Sequence, residues 1–162
     1  MCYYNIRKRK ERKTKMKTYN IEHISDARNA GIAREHDLCS YMGIDRTKHD
    51  STDYRTGSDI EIGDRHISVK ASRFTLMSGT MCKGFTEFND IWNLYKNTTH
   101  SNVFAYVTED YRVFEMDINE FEQFVYTFGK TETESKKNGG GVKIRLKREN
   151  KSMIEWLNKA VA

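Results

Sequence analysis

SDIEIGDRHISVK, residues 58–70, alternates between apolar and polar side chains on both sides of the central pair Gly63-Asp64. Strict alternation marks a half-buried strand, and Gly at the first central position of a two-residue loop selects a type II′ hairpin turn. That turn dictates the register: Ile62 opposite Arg65, Glu61 opposite His66, Ile60 opposite Ile67 and Asp59 opposite Ser68. Because side chains alternate across a sheet, Ile60, Ile62, Ile67 and Val69 then share one face, and Asp59, Glu61, His66, Ser68 and Lys70 share the other. An ordinary amphipathic hairpin with its polar face in water has the same pattern, so alternation alone assigns no function.

Outward from the hairpin, the chain lacks proline, so glycines and Asn/Asp clusters must mark its turns. Upstream, Ile21, Ile24, Ala27, Ala30, Leu38 and Met42 recur at three- and four-residue spacings, and Gly43 stands where a helix would stop. This predicts a long first helix over 20–42, broken or kinked near Gly31. Residues 44–57 are polar and turn-rich and read as a loop. Downstream, Phe85, Phe88, Ile91, Trp92 and Tyr95 fall on one helical face and are assigned to the core. A strand over 102–107 and a partner over 112–116 form a second hairpin across Glu109-Asp110. Asp117 followed by Glu120 has capping-box spacing and opens a helix running to about Phe128. A charged loop over 130–141, a strand over 142–147 and a helix from Ser152 to the end complete the chain. Helices interleaved with local strand pairs predict an α/β or α+β fold, a mixed β-sheet flanked by helices.

At 162 residues the chain suits one folded domain. Its charge is uneven. Residues 1–17 hold eight bases and the single acid Glu11, for a net +7, whereas the rest holds 20 bases and 22 acids. The basic character therefore belongs to an arm over 1–17, expected to be disordered alone and to lie along nucleic-acid phosphates through Arg7, Lys8, Arg9, Lys10, Arg12 and Lys13. The folded domain spans 18–162. Cys2, Cys39 and Cys82 are widely spaced and match no zinc or redox motif. No apolar run approaches the roughly 18 residues of a membrane span. These features lead to the expectation of a reduced, intracellular (cytoplasmic) protein with no membrane partner.

The string GSDIEIGDRHISVKAS, residues 57–72, resembles the PD-(D/E)XK nuclease superfamily. There an Asp ends one strand, an acid-x-Lys follows on the next, and a Glu often projects from the preceding helix. Ser58-Asp59 matches the first element, Ser68-Val69-Lys70 the second, and Glu35 in AGIAREHDL the third. The resemblance covers roughly residues 29–128, where the order of elements also looks like archaeal Holliday-junction resolvases and small type II restriction enzymes. It implies a restriction-endonuclease-like fold and a metal-dependent DNA endonuclease, of restriction or junction type.

Ser68 departs from the pattern, because it stands where the motif acid belongs. In one reading a neighbour supplies the carboxylate, as in restriction enzymes with a similar Ser-x-Lys version; Glu87 and Glu61 are the candidates. In the other the site has lost its metal and the chain is a catalytically inactive DNA-binding protein that retains the nuclease fold.

Under the first reading the resemblance implies Asp59 as central metal ligand, Glu35 with Glu87 or Glu61 completing the shell, and the Val69 carbonyl contributing. The cofactor would be Mg²⁺, with Mn²⁺ as a substitute, since a hard cation takes oxygen ligands and retains several waters. Lys70 would orient the attacking water, and Ser72 and Arg73 would contact phosphate. Cutting both strands needs two sites, so a homodimer is expected.

Overall fold

The computed structural model describes residues 16–45, 58–77 and 83–162. The arm up to residue 15, most of the polar loop (46–57) and the stretch 78–82 lie outside the described residues. The described elements are β1 (Lys17–Asn20), α1 (Ala30–Tyr41), β2 (Ile60–Ile62), β3 (Arg65–Ala71), β4 (Thr75–Leu76), α2 (Phe88–Thr98), β5 (Val103–Val107), β6 (Arg112–Met116), α3 (Ile118–Phe128), β7 (Gly129–Thr133), β8 (Val142–Leu146) and α4 (Lys151–Val161). A short 3₁₀ turn, Lys136–Asn138, lies between β7 and β8.

The chain is therefore mixed α and β, with two sheets among the described residues. A five-stranded sheet has the order β1-β6-β5-β3-β2, and a three-stranded antiparallel sheet has the order β4-β8-β7. Within the larger sheet β3 and β5 run parallel, and the other neighbours are antiparallel. Parallel neighbours need a crossover connection, and α2 supplies it.

The hairpin has the register the turn dictates: Ile60 opposite Ile67, Glu61 opposite His66, Ile62 opposite Arg65. Gly63 has φ of +58°, and Asp64 is not in the left-handed region, as a type II′ turn requires. The aliphatic face, with Ile60 and Ile67 fully buried, packs with Leu38 and Cys39 of α1 and with Ala105, Val107 and Val113. The opposite face of the sheet belongs to a larger core in which Trp92, Phe104, Tyr106, Phe114, Phe121 and Phe124 join Ile144, Met153 and Leu157. The sheet is thus a central layer, and β3 and β5 have packed elements on both faces.

α2, β5, β6, β8 and α4 occur where the sequence pattern places them, and α2 presents Ile91, Trp92 and Tyr95 to the core. At α3 the Asp117 carboxylate accepts from the Glu120 backbone N–H, and Glu120 accepts from that of Asp117, a complete capping box.

Two expectations are corrected, and one strand appears where the sequence pattern raises no expectation. The helix predicted over 20–42 begins only at Ala30, and Lys17–Asn20 is an edge strand paired with β6. The cause is Asp37, whose fully buried carboxylate accepts from the backbone N–H groups of Ile24 (3.0 Å) and Ser25 (2.7 Å) and bonds His23 Nδ1 (2.8 Å). These bonds hold the segment before α1 in a non-helical path, and Asn29 caps the helix by accepting from Gly31 and Ile32. Secondly, Gly129–Thr133 is a strand inside the predicted charged loop; its register on β8, not an apolar pattern, makes it one. The unexpected strand is β4, two residues paired with β8 and too short to leave a periodic signal.

Asp37→Ala would strand the Ile24 and Ser25 N–H groups at a buried site. We expect it to lower unfolding stability by about 2–4 kcal/mol, seen in urea denaturation as a lower midpoint with an unchanged m-value.

Candidate functional site

Beyond the C-terminal end of β3, Ala71 O accepts from Phe74 N–H (3.1 Å) and closes a turn with Ser72 and Arg73 at its centre. Arg73 sits at φ +64°, in the left-handed region. That is the third position of a type II turn, where glycine is the unstrained choice. A bulky residue held there costs on the order of 1–2 kcal/mol.

This turn borders an open cleft of about 510 Å³ at the C-terminal ends of the two parallel strands. Crevices outside the carboxyl ends of parallel strands are where open α/β sheets take ligands. Ala30, Gly31 and Arg34 of α1 line one side, Val69–Phe74 the floor, and Glu109 and Arg148 the rim. The charged lining residues are Arg34, Lys70, Arg73, Arg148 and the single acid Glu109, so the cleft has a strong cationic bias.

Lys70 projects to the larger-core side of the sheet, with its ammonium 5.7 Å from the centre of the Phe74 ring and 5.8 Å from that of Tyr95. Cation–π attraction steadies it there. Among the described residues it has no carboxylate partner. Asp59, just before β2, accepts from the Val69 N–H at 2.6 Å, and its own N–H donates to Ile67 O at 2.8 Å. Asp59 is thereby fixed beside the β3 segment that lines the cleft.

Of the predicted site residues, the fold brings Asp59, Val69, Lys70, Ser72 and Arg73 to one end of β3. Ser68 is 2% exposed, inside the sheet. Glu61 faces His66 at 3.3 Å in solvent, about 13 Å along β3 from Lys70 at ~3.3 Å per residue. Glu87 is the exposed N-cap residue of α2, about 12 Å along the helix from Tyr95 at ~1.5 Å per residue. Glu35 lies on α1, half-buried and with an interaction of its own. Arg7, Lys8, Arg9, Lys10, Arg12 and Lys13 lie outside the described residues.

Among the described residues no three His, Cys, Asp or Glu side chains gather as a ready-made metal cage. Mg²⁺ sets a lower requirement, since one or two carboxylates with substrate phosphate and water suffice. Asp59, fixed on the Val69 N–H, is the carboxylate that would serve such a site beside a seated phosphate.

Sequence reasoning missed Arg34 and Arg148. Arg34 is 8% exposed, with Nε donating to Thr108 O (3.4 Å), Nη1 donating to Ala30 O (3.1 Å) and the guanidinium 5.4 Å from the Tyr111 ring centre. Its signal was present: Ala30, Arg34 and Leu38 follow one another at four-residue spacing, which puts a base in the apolar stripe of α1.

Arg148 is positioned by its neighbour. The Glu149 carboxylate accepts from Tyr106 OH (2.9 Å) and from the Glu109 N–H (3.1 Å), while the Glu149 N–H donates to Ser72 Oγ (3.0 Å). Burial pushes the Glu149 carboxyl above its ordinary 4.5, partly offset by the bonds from Tyr106 and Glu109, and burial likewise raises the Tyr106 phenol.

No family model, curated protein or solved structure matches the chain. No described helix is long and apolar enough to cross a membrane.

A raised folded-state value means that the folded chain holds this proton more tightly than the unfolded chain. The resulting stability is complete below about 4.5 and is lost as pH rises through the folded value. Wild type should therefore lose stability relative to Glu149→Gln as pH rises from 4 to 7, measured by paired thermal melts; a constant difference would contradict the shift.

Proposed function

We propose that this chain is a DNA endonuclease of the PD-(D/E)XK type that takes up Mg²⁺ together with its substrate. The observation that supports this is the pairing, at one end of β3, of Asp59 fixed on Val69 with a Lys70 ammonium that has no carboxylate partner among the described residues. A lysine serving only as a structural ion pair would have an acid beside it. This one belongs to a residue that lines a cationic cleft suited to phosphate.

Asp59 and the phosphate oxygens would hold the ion, whose chemistry when bound is counter-charge to the phosphoryl transition state. The protein's own part is positional. The cationic cleft seats the scissile phosphate, and Lys70 donates to the attacking water or to a non-bridging oxygen as negative charge builds there. Water adds to phosphorus, the P–O bond to the sugar breaks, and the leaving oxygen takes a proton. A homodimer would present two such sites to the two strands.

A second reading, DNA binding without cleavage, has its own support: Ser68 is buried at the motif-acid position, and the described residues hold no three-carboxylate cluster.

Incubation with supercoiled plasmid, linear duplex and a four-way junction, with Mg²⁺ or EDTA, separates the two. We expect metal-dependent cleavage that Lys70→Ala and Asp59→Asn each reduce at least ~100-fold; Asn keeps an oxygen for the Val69 N–H. Mg²⁺ alone should leave the melting temperature unchanged, and should raise it when added with duplex DNA beyond the effect of DNA alone. Binding without cleavage of any substrate would favour the second reading, and cleavage surviving in both variants would remove the site from consideration.

A further inference from the structure

Three arginines from three separate segments reach the cleft: Arg34 from α1, Arg73 from the turn after β3, and Arg148 from the segment after β8. Neither Arg73 nor Arg148 has a carboxylate or hydrogen-bond partner among the described residues. Arg34 is more than nine-tenths buried, and what it bonds are two backbone carbonyls. A guanidinium has five N–H donors, so a buried one with two protein acceptors retains donor capacity for a ligand. A buried cation without an acid is costly unless an anion joins it.

The supporting structure is consistent with a ligand site. Arg73 keeps a strained backbone where glycine would relax, and strain of this kind collects at ligand clamps. Glu149 spends its carboxylate on Tyr106 and Glu109 rather than on either exposed arginine, and so anchors the segment carrying Arg148 without neutralising it. Glu109, the acid in the lining, offers its backbone N–H to that same anchor.

We propose that Arg34, Arg73 and Arg148 form a clamp on a backbone phosphate of duplex DNA, with Arg34 as its buried member and Glu149 as the residue that positions Arg148. Arginine suits the role because its planar fork bonds two phosphate oxygens at once, as lysine does not. The choice of DNA rests on the endonuclease reading. The clamp itself does not depend on hydrolysis, because a chain that binds without cutting would use it equally.

The test is the affinity of the full chain for a labelled 20-base-pair duplex, measured by fluorescence anisotropy over a series of salt concentrations in EDTA, so that binding is read apart from cleavage. Losing the neutralisation of one phosphate lowers the slope of log affinity against log salt by about 0.9. Because the three arginines share one phosphate, Arg148→Ala and Arg73→Gly, both at exposed positions, should each weaken binding at low salt roughly tenfold, and the two together should lower that slope by about 0.9. Lys137→Ala, an exposed base outside the cleft, removes the same charge and should leave the slope within error. Arg34→Lys keeps the charge and loses the fork, and should weaken binding as much as Arg148→Ala does. Arg73→Gly carries a second readout, since relief of the left-handed strain should leave thermal stability equal to or above wild type while binding falls. If Arg148→Ala and Arg73→Gly both keep the wild-type slope and affinity, the clamp is wrong even where cleavage is observed. If they lose affinity while no substrate is cut, the clamp stands and the endonuclease reading fails.

Discussion

The parallel pairing of β3 with β5 constrains everything around the cleft. Ile67 lies against Val103, Val69 against Ala105 and Lys70 against Tyr106, so the two strands end together and open one crevice beyond their carboxyl ends. Parallel neighbours cannot be joined by a tight turn, and the crossover that joins them carries α2, whose Trp92 and Tyr95 cover the face from which Lys70 projects. The other face is closed by α1 through Leu38 and Cys39. With both faces covered, side chains near the strand ends can reach solvent only at the crevice. The position of Lys70 therefore follows from sheet topology as much as from its place in a motif.

Local pattern carried most of the secondary structure. The hairpin was legible because alternation and a Gly-first turn agree on one register, and α3 was legible because its capping box lies within four residues. Local pattern failed where a distant partner decided. The apolar spacing from Ile21 to Ala27 suits a helix, but a buried carboxylate at Asp37, on the helix that follows, takes two backbone N–H groups from that segment, and apolar periodicity carries no signal of such a side-chain-to-backbone exchange. β7 failed for the converse reason. Its residues are nearly all polar, and only its register on β8 makes them a strand.

The site was partly legible for the same reasons. Asp59, Val69 and Lys70 belong to one hairpin, so their proximity follows from its register. Arg34 and Arg148 stand 114 positions apart in sequence, and no spacing rule connects them. Glu61 and Glu87 were named as substitutes for the acid missing at Ser68. Glu61 lies toward the other end of β3, and Glu87 sits two helical turns before the ring under Lys70. Glu61 is nonetheless only two residues from Asp59, about 7 Å along the strand.

The charge balance of the cleft bears on how a divalent cation could be held there. Four cationic side chains and one acid make a cleft that repels a divalent cation on its own, and under the proposed endonuclease reading each phosphate seated there would reduce that repulsion. Under that reading the substrate phosphate would supply oxygen ligands that a preformed cage would otherwise provide. On this view Ser68 need not mark a lost centre. A second carboxylate beside Asp59 would have to be buried in the sheet, where a charge without a partner is costly, and the arginines would be left to neutralise it instead of gripping phosphate. In the proposed site, arginines that would seat a phosphate and Asp59, which would accept the ion beside it, are compatible parts, and the arginines keep their role whether or not the ion is taken up.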